Sequence, residues 1–269
     1  MKFDLHTHHQ RCGHAIGKIE DYIHAAIKAE IDVIGISDHS PFFAEEGDQA
    51  FPGSAMAKSE FPSYISEVLQ LKEKYRNRIE VLLGIESDFF PEHHEIYRKY
   101  YSQNPFDYII GSVHFVNKFH IFDKKRWEKV TAERDLLMEK ERYYQLIQQS
   151  VHSGMFDILG HIDGMKGCNP TISEIQTDIL DLTLKVIADS GAAIEINTSG
   201  KRKECQTWFP SDDILERACH YGINITFGSD SHDPQHIGYE WDQVRQRIKE
   251  IGFKKWVFFR QRKQQIVDL

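Results

Sequence analysis

The residues most able to do chemistry stand at the very start of the chain, in Asp4-Leu-His6-Thr-His8-His9-Gln-Arg-Cys12-Gly-His14. In an extended strand, residues two apart share a face, so Asp4, His6 and His8 project together and aim two imidazoles at one point. A neutral imidazole is the commonest protein ligand for zinc-like cations, and His-x-His at a strand end supplies half of a tetrahedral shell. His14 adds a third imidazole before the first helix begins, while His9 falls on the wrong face for the pair. Further ligand types recur downstream: His39, Glu86, His114, His161, Asn197, Asp230 and His232.

Each of these residues follows a short apolar run with the character of a buried strand. The runs are 32–37, 79–85, 107–113, 156–160, 192–197 and 223–229, and helical spacing fills the intervals over about 18–30, 62–76, 92–103, 134–153, 173–190 and 211–221. A weaker apolar run at 256–259 follows one more helix. Strands alternating with helices predict βα units and a parallel sheet, here an α/β fold of the TIM-like barrel type with a single domain over 1–269. In such a barrel the carboxyl ends of the strands carry the active site, so the scattered ligand types are expected to meet at one mouth. Residues 40–61 and 115–131 are long loops with several aromatics, and the first has the character of a substrate lid. The remaining histidines, His24, His93, His94, His152, His220 and His236, fall on helices or at helix starts and read as surface residues. His120 sits in the aromatic loop, within reach of a substrate, although a solvated loop residue is the simpler reading.

Composition narrows the classes. The formal net charge of −8, with only Lys124-Lys125-Arg126 and Lys201-Arg202-Lys203 as basic clusters, disfavours a nucleic-acid or membrane surface. No apolar run approaches the roughly 20 residues needed to cross a bilayer, and a cytoplasmic location is expected. The four cysteines form no Cys-x-x-Cys pair, which argues against a disulfide framework or a thiolate zinc site. The chain says nothing of its oligomeric state. Two carboxylates and seven histidines exceed the needs of one four-coordinate ion and suit a cluster with a bridging carboxylate. Three divalent ions would bring about +6 against about −2 from Glu86 and Asp230, a pocket that favours an anion such as a phosphate ester.

In order and context, Asp4-Leu-His6-Thr-His8, Ser37-Asp38-His39, Gly84-Ile-Glu86, Gly111-Ser-Val-His114, Gly160-His161-Ile-Asp163 and Gly228-Ser-Asp230-Ser-His232 resemble the motifs of the PHP (polymerase and histidinol phosphatase) superfamily. Glu195-Ile-Asn-Thr-Ser-Gly200 with Lys201-Arg202, the Tyr64–Tyr75 helix, and Phe122-Asp123 are similar to its monofunctional histidinol-phosphate phosphatases. The resemblance covers essentially the whole chain. It implies a distorted barrel of seven parallel strands and three divalent ions, zinc, iron or manganese, with the first on His6, His8, Glu86 and Asp230. The second would take Glu86, His114 and His161, and the third His14, His39 and His232.

The implied activity is hydrolysis of L-histidinol phosphate to L-histidinol and inorganic phosphate in histidine biosynthesis, by a hydroxide held between ions. The alternative is another phosphoesterase of the superfamily, acting on nucleotides or phosphotyrosine proteins. Arg202, on the turn after Asn197 and Ser199, is the expected phosphate ligand because a guanidinium binds two phosphate oxygens at once. Asn197 and Ser199 join it as expected substrate contacts, and Asp230 or His232 is expected to pass a proton to the leaving alcohol. Asp38 is expected to orient an imidazole. After Gly-His-Ile-Asp the superfamily commonly continues with apolar and then basic residues. This chain has Gly164-Met-Lys166-Gly-Cys168, which leaves Lys166 as the candidate for a second phosphate-contacting cation. Amidohydrolases also open with His-x-His on a barrel, but typically place a modified lysine where this chain has His114.

Overall fold

The computed structural model describes residues 1–269. The chain opens with β1 (Phe3–Asp4), α1 (Ile19–Lys28), β2 (Val33–Ile36), α2 (Phe61–Tyr75), β3 (Glu80–Leu83), β4 (Glu86–Asp88), α3 (His94–Ser102) and β5 (Ile110–Ser112). A small hairpin, β6 (Phe115–Val116) and β7 (Phe119–His120), leads to α4 (Lys124–Trp127), α5 (Glu133–His152), β8 (Ile158–Leu159) and α6 (Ile179–Ser190). The last part holds β9 (Ala193–Asn197), α7 (Asp212–His220), β10 (Asn224–Gly228), α8 (Trp241–Ile251), β11 (Lys255–Arg260) and β12 (Lys263–Asp268). Each helix buries the apolar positions that its sequence spaces at three and four residues, as Ile19, Tyr22, Ile23 and Ala26 do in α1.

The parallel strands form two ladders, β1-β2-β3 and β10-β9-β8-β5-β4. Because β3 and β4 are one strand interrupted at Gly84-Ile85, these ladders amount to the seven parallel strands expected. Two seams join them. At the first, the Leu5 amide donates to the Phe227 carbonyl at 3.1 Å and the His8 amide to Ser231 at 2.9 Å. At the second, the Ser40 amide donates to Glu86 at 2.8 Å and the Ile110 amide to Ile85 at 2.9 Å. The strands are buried on both faces, which is why they read as continuous apolar runs rather than alternating ones.

Three local expectations are refined. The run at 256–259 belongs to β11, which pairs antiparallel with β12 through a turn whose Gln261 and Arg262 have φ of 50° and 64°. It is therefore a hairpin beside the parallel strands and not an eighth member. The helix expected from 173 begins at Ile179, after a 3₁₀ turn at Pro170–Ser173. Residues 115–131 are not a structureless loop but carry the β6–β7 hairpin and α4, pinned to α5 by an ion pair between Arg126 and Glu139. The expected lid, 40–61, is irregular up to a 3₁₀ turn at Lys58–Glu60.

One contiguous core of 68 buried residues joins the helices to the parallel strands, and Tyr108 sets the spacing at its centre. Its hydroxyl donates to the Leu5 carbonyl at 2.5 Å, and its ring occupies space left free by Gly35 and Gly84. A methyl group at Gly35 would collide with an anchored ring rather than with a flexible side-chain end. Gly35→Ala should therefore lower stability by about 1–3 kcal/mol and the thermal midpoint by about 3–10 °C, read by calorimetry. An unchanged midpoint would mean that Tyr108 is not fixed.

Candidate metal centre

The strand ends deliver the imidazoles and carboxylates to one place. Glu86, 1% exposed, is the hub. Its Oε2 lies 3.4 Å from His6 Nε2, 3.6 Å from His8 Nε2 and 2.9 Å from His39 Nδ1. Its Oε1 lies 3.1 Å from His161 Nε2 and 3.5 Å from His114 Nε2, and accepts a hydrogen bond from Ser112 Oγ at 2.6 Å. Asp230 closes the opposite side, with Oδ1 at 3.0 Å from His8 Nε2 and 3.7 Å from His6 Nε2. His14 and His232 face each other with Nε2 atoms 2.9 Å apart.

The outer nitrogens explain why the inner ones converge. His6 Nδ1 is 2.5 Å from Glu195, His8 Nδ1 is 3.2 Å from Asp38, and His114 Nδ1 is 3.0 Å from Asp88. Each carboxylate fixes its ring's orientation and leaves Nε2 pointing inward. His6 Nε2, His8 Nε2 and Glu86 Oε2 are buried and have no hydrogen-bond partner, an arrangement that costs free energy unless something else occupies the centre. Nitrogen and oxygen donors around a buried carboxylate fit divalent zinc, iron or manganese. Three clusters have ligand atoms close enough to share an ion: His6 with His8 and Glu86; His39 with Glu86 and His114; and His8 with His39 and His232. His39 thus turns toward Glu86 more than toward the His14–His232 pair, and stands between two groups that the resemblance separates.

The backbone bends to make this geometry. His161 and Asp230 both have positive φ, 27° and 49°, uncommon outside glycine. Such strain persists where the surroundings over-determine it. The His161 amide donates to Glu195 Oε2 at 3.1 Å, while Asp230 Oδ2 accepts from Ser199 Oγ at 2.9 Å and Asn197 Nδ2 at 3.2 Å. Glu195 heads the motif Glu195-Ile-Asn-Thr-Ser-Gly200 without a site role expected of it, although it orients His6 and supports His161 at once. The signal available was period two: Glu195 and Asn197 are the polar members on one face of the otherwise apolar strand Ala193–Asn197.

An open cleft of about 600 Å³ lies over the cluster, lined in part by His14, His39, Glu86, His114, Asp230 and His232. Ser199 and Arg202 line it, and Arg202 Nη2 donates to the Ser229 and Asp230 carbonyls at 3.3 Å each. Two expectations are corrected. Lys166 does not line the cleft; its ammonium is buried against Asp163 at 2.7 Å and the Trp208 carbonyl at 2.8 Å, and Lys203 lines the cleft instead. Asn197 is fully buried and touches Glu195, Asp230 and the Ser199 amide, so it positions Asp230 and is not placed to contact a substrate. His120 and His236, set aside or left open in the sequence, both line the cleft. His9 pairs with Asp38 at 3.2 Å outside the cluster.

The cluster divides electrically. Burial opposes charge on His8 and His114, but the carboxylates of Asp230 and Asp38 beside the first, and those of Asp88 and Glu86 beside the second, push each up to about 9. His6 is raised for the same reason by Glu195, Glu86 and Asp230. Burial would also raise Glu86 and Asp230, yet the surrounding imidazoles hold both well below the usual carboxylate range. On the far side, burial followed by the charges of His39 and His8 lowers His14 to about 4, and burial with His8 lowers His232.

In metal-free protein, the raised groups contribute stability that is full below the ordinary histidine value of 6.5 and lost as pH rises through about 9. The depressed imidazoles act oppositely, losing stability as pH falls below 6.5 toward about 4. The thermal midpoint of chelator-treated protein should therefore peak near pH 6.5 and decline to pH 9, whereas metal-loaded protein should not decline over that interval, because cations replace the protons. Parallel midpoint curves for the two forms would contradict a cluster that exchanges protons for metal.

Comparison with known proteins agrees with this geometry. The PHP domain model matches residues 4–199. A Deinococcus radiodurans protein named probable histidinol-phosphatase is 32% identical over 264 residues, covering 97% of this chain and 98% of that protein. The Bacillus subtilis histidinol-phosphatase is 28% identical over 92% of this chain and 99% of its own length. The crystal structure of histidinol phosphate phosphatase from Lactococcus lactis, complexed with zinc, L-histidinol and phosphate, covers 98% of each chain with a TM-score of 0.80 at 23% identity. With the PHP model spanning most of its length and a relative of this identity along nearly all of it, the chain belongs to the PHP domain family.

Proposed function

We propose that this chain is a metal-dependent phosphomonoesterase that hydrolyses L-histidinol phosphate to L-histidinol and inorganic phosphate. The observation that carries the reading is the inward convergence of imidazole and carboxylate atoms without partners, beneath a cleft that also presents Arg202 and Lys203. The names of the relatives, and the zinc, histidinol and phosphate bound by the Lactococcus lactis protein, supply the substrate. The contiguous core supports reading residues 1–269 as one catalytic unit. No helix is long and apolar enough to cross a membrane, which fits a small-molecule substrate met in water.

The donor set supports three divalent ions, zinc, iron or manganese. His6, His8, Glu86 and Asp230 would hold one, Glu86 with His114 and His161 a second, and His14 with His232 a third that His39 either joins or leaves for the second. When bound, divalent ions polarise the ester oxygens and acidify water near neutral pH. The chain does the rest. Asp38, Asp88 and Glu195 keep three imidazoles aimed, and both oxygens of Glu86 face different rings, so a single side chain ties two halves of the site together. Arg202, braced on two carbonyls and against the ring of Tyr239, presents its guanidinium to phosphate oxygens from the β10 side.

Asp230 accepts from Asn197 and Ser199 and stays a carboxylate, while His232 is turned toward His14 and Asp230. This geometry favours cleft water over either side chain as the proton source for the leaving alcohol.

The deciding assay is phosphate release from L-histidinol phosphate by purified, metal-loaded protein, beside a nucleotide and a phosphotyrosine peptide. Preferential release from histidinol phosphate is expected; metal binding without release from any ester would leave a metal scaffold. Glu86→Gln should reduce bound metal and turnover by at least about 100-fold, since the loss of a shared ligand weakens two ions together. Arg202→Ala should raise KM by about 10- to 100-fold with a smaller effect on kcat, the scale of a charge-assisted bond. An unchanged KM would remove Arg202 from phosphate binding.

A further inference from the structure

His120 is held in one tautomer by the backbone. The Phe122 amide donates to His120 Nδ1 at 3.2 Å, and an amide can only donate, so Nδ1 carries the lone pair and Nε2 carries the hydrogen. That Nε2–H has no partner within the protein, and the residue lines the cleft. The ring itself is clamped. It stacks on His114 at 5.5 Å with planes 7° apart, meets Phe115 edge-on at 5.0 Å, and lies 5.9 Å from Phe122. The β6–β7 hairpin that carries it turns through Asn117 and Lys118, both at positive φ, and is anchored by Arg126, which donates to the Phe119 carbonyl at 3.0 Å.

This wall stands across the mouth from the phosphate side. Arg202 is braced on Ser229 and Asp230 at the end of β10, whereas His120 rests on His114 just beyond β5, with β8 and β9 between those strands on one side of the ring. Phe42 continues the aromatic surface from Phe115 at 6.2 Å to Phe51 at 4.6 Å. A flat aromatic surface with one fixed donor suits a planar heteroaromatic ring bearing a lone pair, not a tetrahedral anion. Resting on the reading of the chain as a histidinol-phosphate phosphatase, we propose that His120 is a specificity-determining residue. Its Nε2–H donates to the unprotonated imidazole nitrogen of the leaving group, which lies against Phe115 and Phe42.

The test separates ring from phosphate. His120→Phe keeps a flat ring over His114 and removes the donor; His120→Gln loses the ring and restores an amide donor at about the Nε2 position. With His120→Phe, KM for L-histidinol phosphate and the inhibition constant of L-histidinol should each rise about three- to tenfold, the scale of one neutral hydrogen bond. Inhibition by inorganic phosphate, KM for O-phosphoethanolamine, which lacks the imidazole, and metal content by mass spectrometry should not change. His120→Gln should recover part of the histidinol affinity. Equal KM increases for both esters would make His120 a phosphate ligand and overturn the assignment, as would a fall in metal content or unaltered histidinol inhibition. Failure of the wild-type protein to release phosphate from either ester would instead defeat the hydrolase reading.

Discussion

A buried carboxylate cannot stay ionised in a protein interior without compensating charge or hydrogen bonds, and Glu86 shows how this chain meets that constraint. Five imidazoles surround its two oxygens, and Ser112 contributes a hydroxyl. The same constraint applies one layer out, where Asp38, Asp88 and Glu195 are buried or nearly so and each faces the outer nitrogen of a ring. Charge is thus distributed in alternating shells of carboxylate and imidazole. Removing any one member leaves its neighbours buried with a partner fewer.

That alternation also explains the placement of the strained backbone. His161 and Asp230 adopt positive φ because their side chains must turn into the mouth immediately after a strand, and Glu195, Asn197 and Ser199 hold them there. Gly228 is needed for the same reason. A side chain at that position would meet the Glu195 carboxylate and the Cβ of His6, so the glycine lets β10 approach β1 closely enough for Asp230 to reach His8. Packing, strain and electrostatics converge on the seam where the beginning of the chain meets its last parallel strand.

The cleft above the cluster is unequal on its two sides. Arg202 brings cationic character to the β10 side and the β6–β7 hairpin brings aromatic rings to the other, while the Lys203 ammonium lies over the ring of Phe122. Such a division matches a substrate that is an anion at one end and a ring at the other. It arises from loops rather than from the strands, which is the usual way one parallel scaffold serves different substrates.

The amino-acid sequence by itself determined the strand-end character of His6, His8, His39, Glu86, His114, His161, Asp230 and His232, because buried parallel strands read as apolar runs and anything polar at their carboxyl ends stands out. It also determined the α/β order of the chain and, through its motifs, the family. Glu195 was hidden because a carboxylate within an apolar strand carries no sign of which ring it will face. The superfamily pattern after Gly-His-Ile-Asp points to Lys166, and the turn that carries Arg202 to Asn197, as substrate contacts, yet only the tertiary structure decided that Asp163 captures the first and that the second turns inward to Asp230. His120 and Lys203 came to the cleft through a hairpin and a turn whose paths depend on packing against α5 and Phe122. Strand periodicity is local and is written in the chain. Which side chain completes another's hydrogen bond depends on residues far apart in sequence, as with His6 and Glu195, 189 positions away, and is settled only when the strands close together.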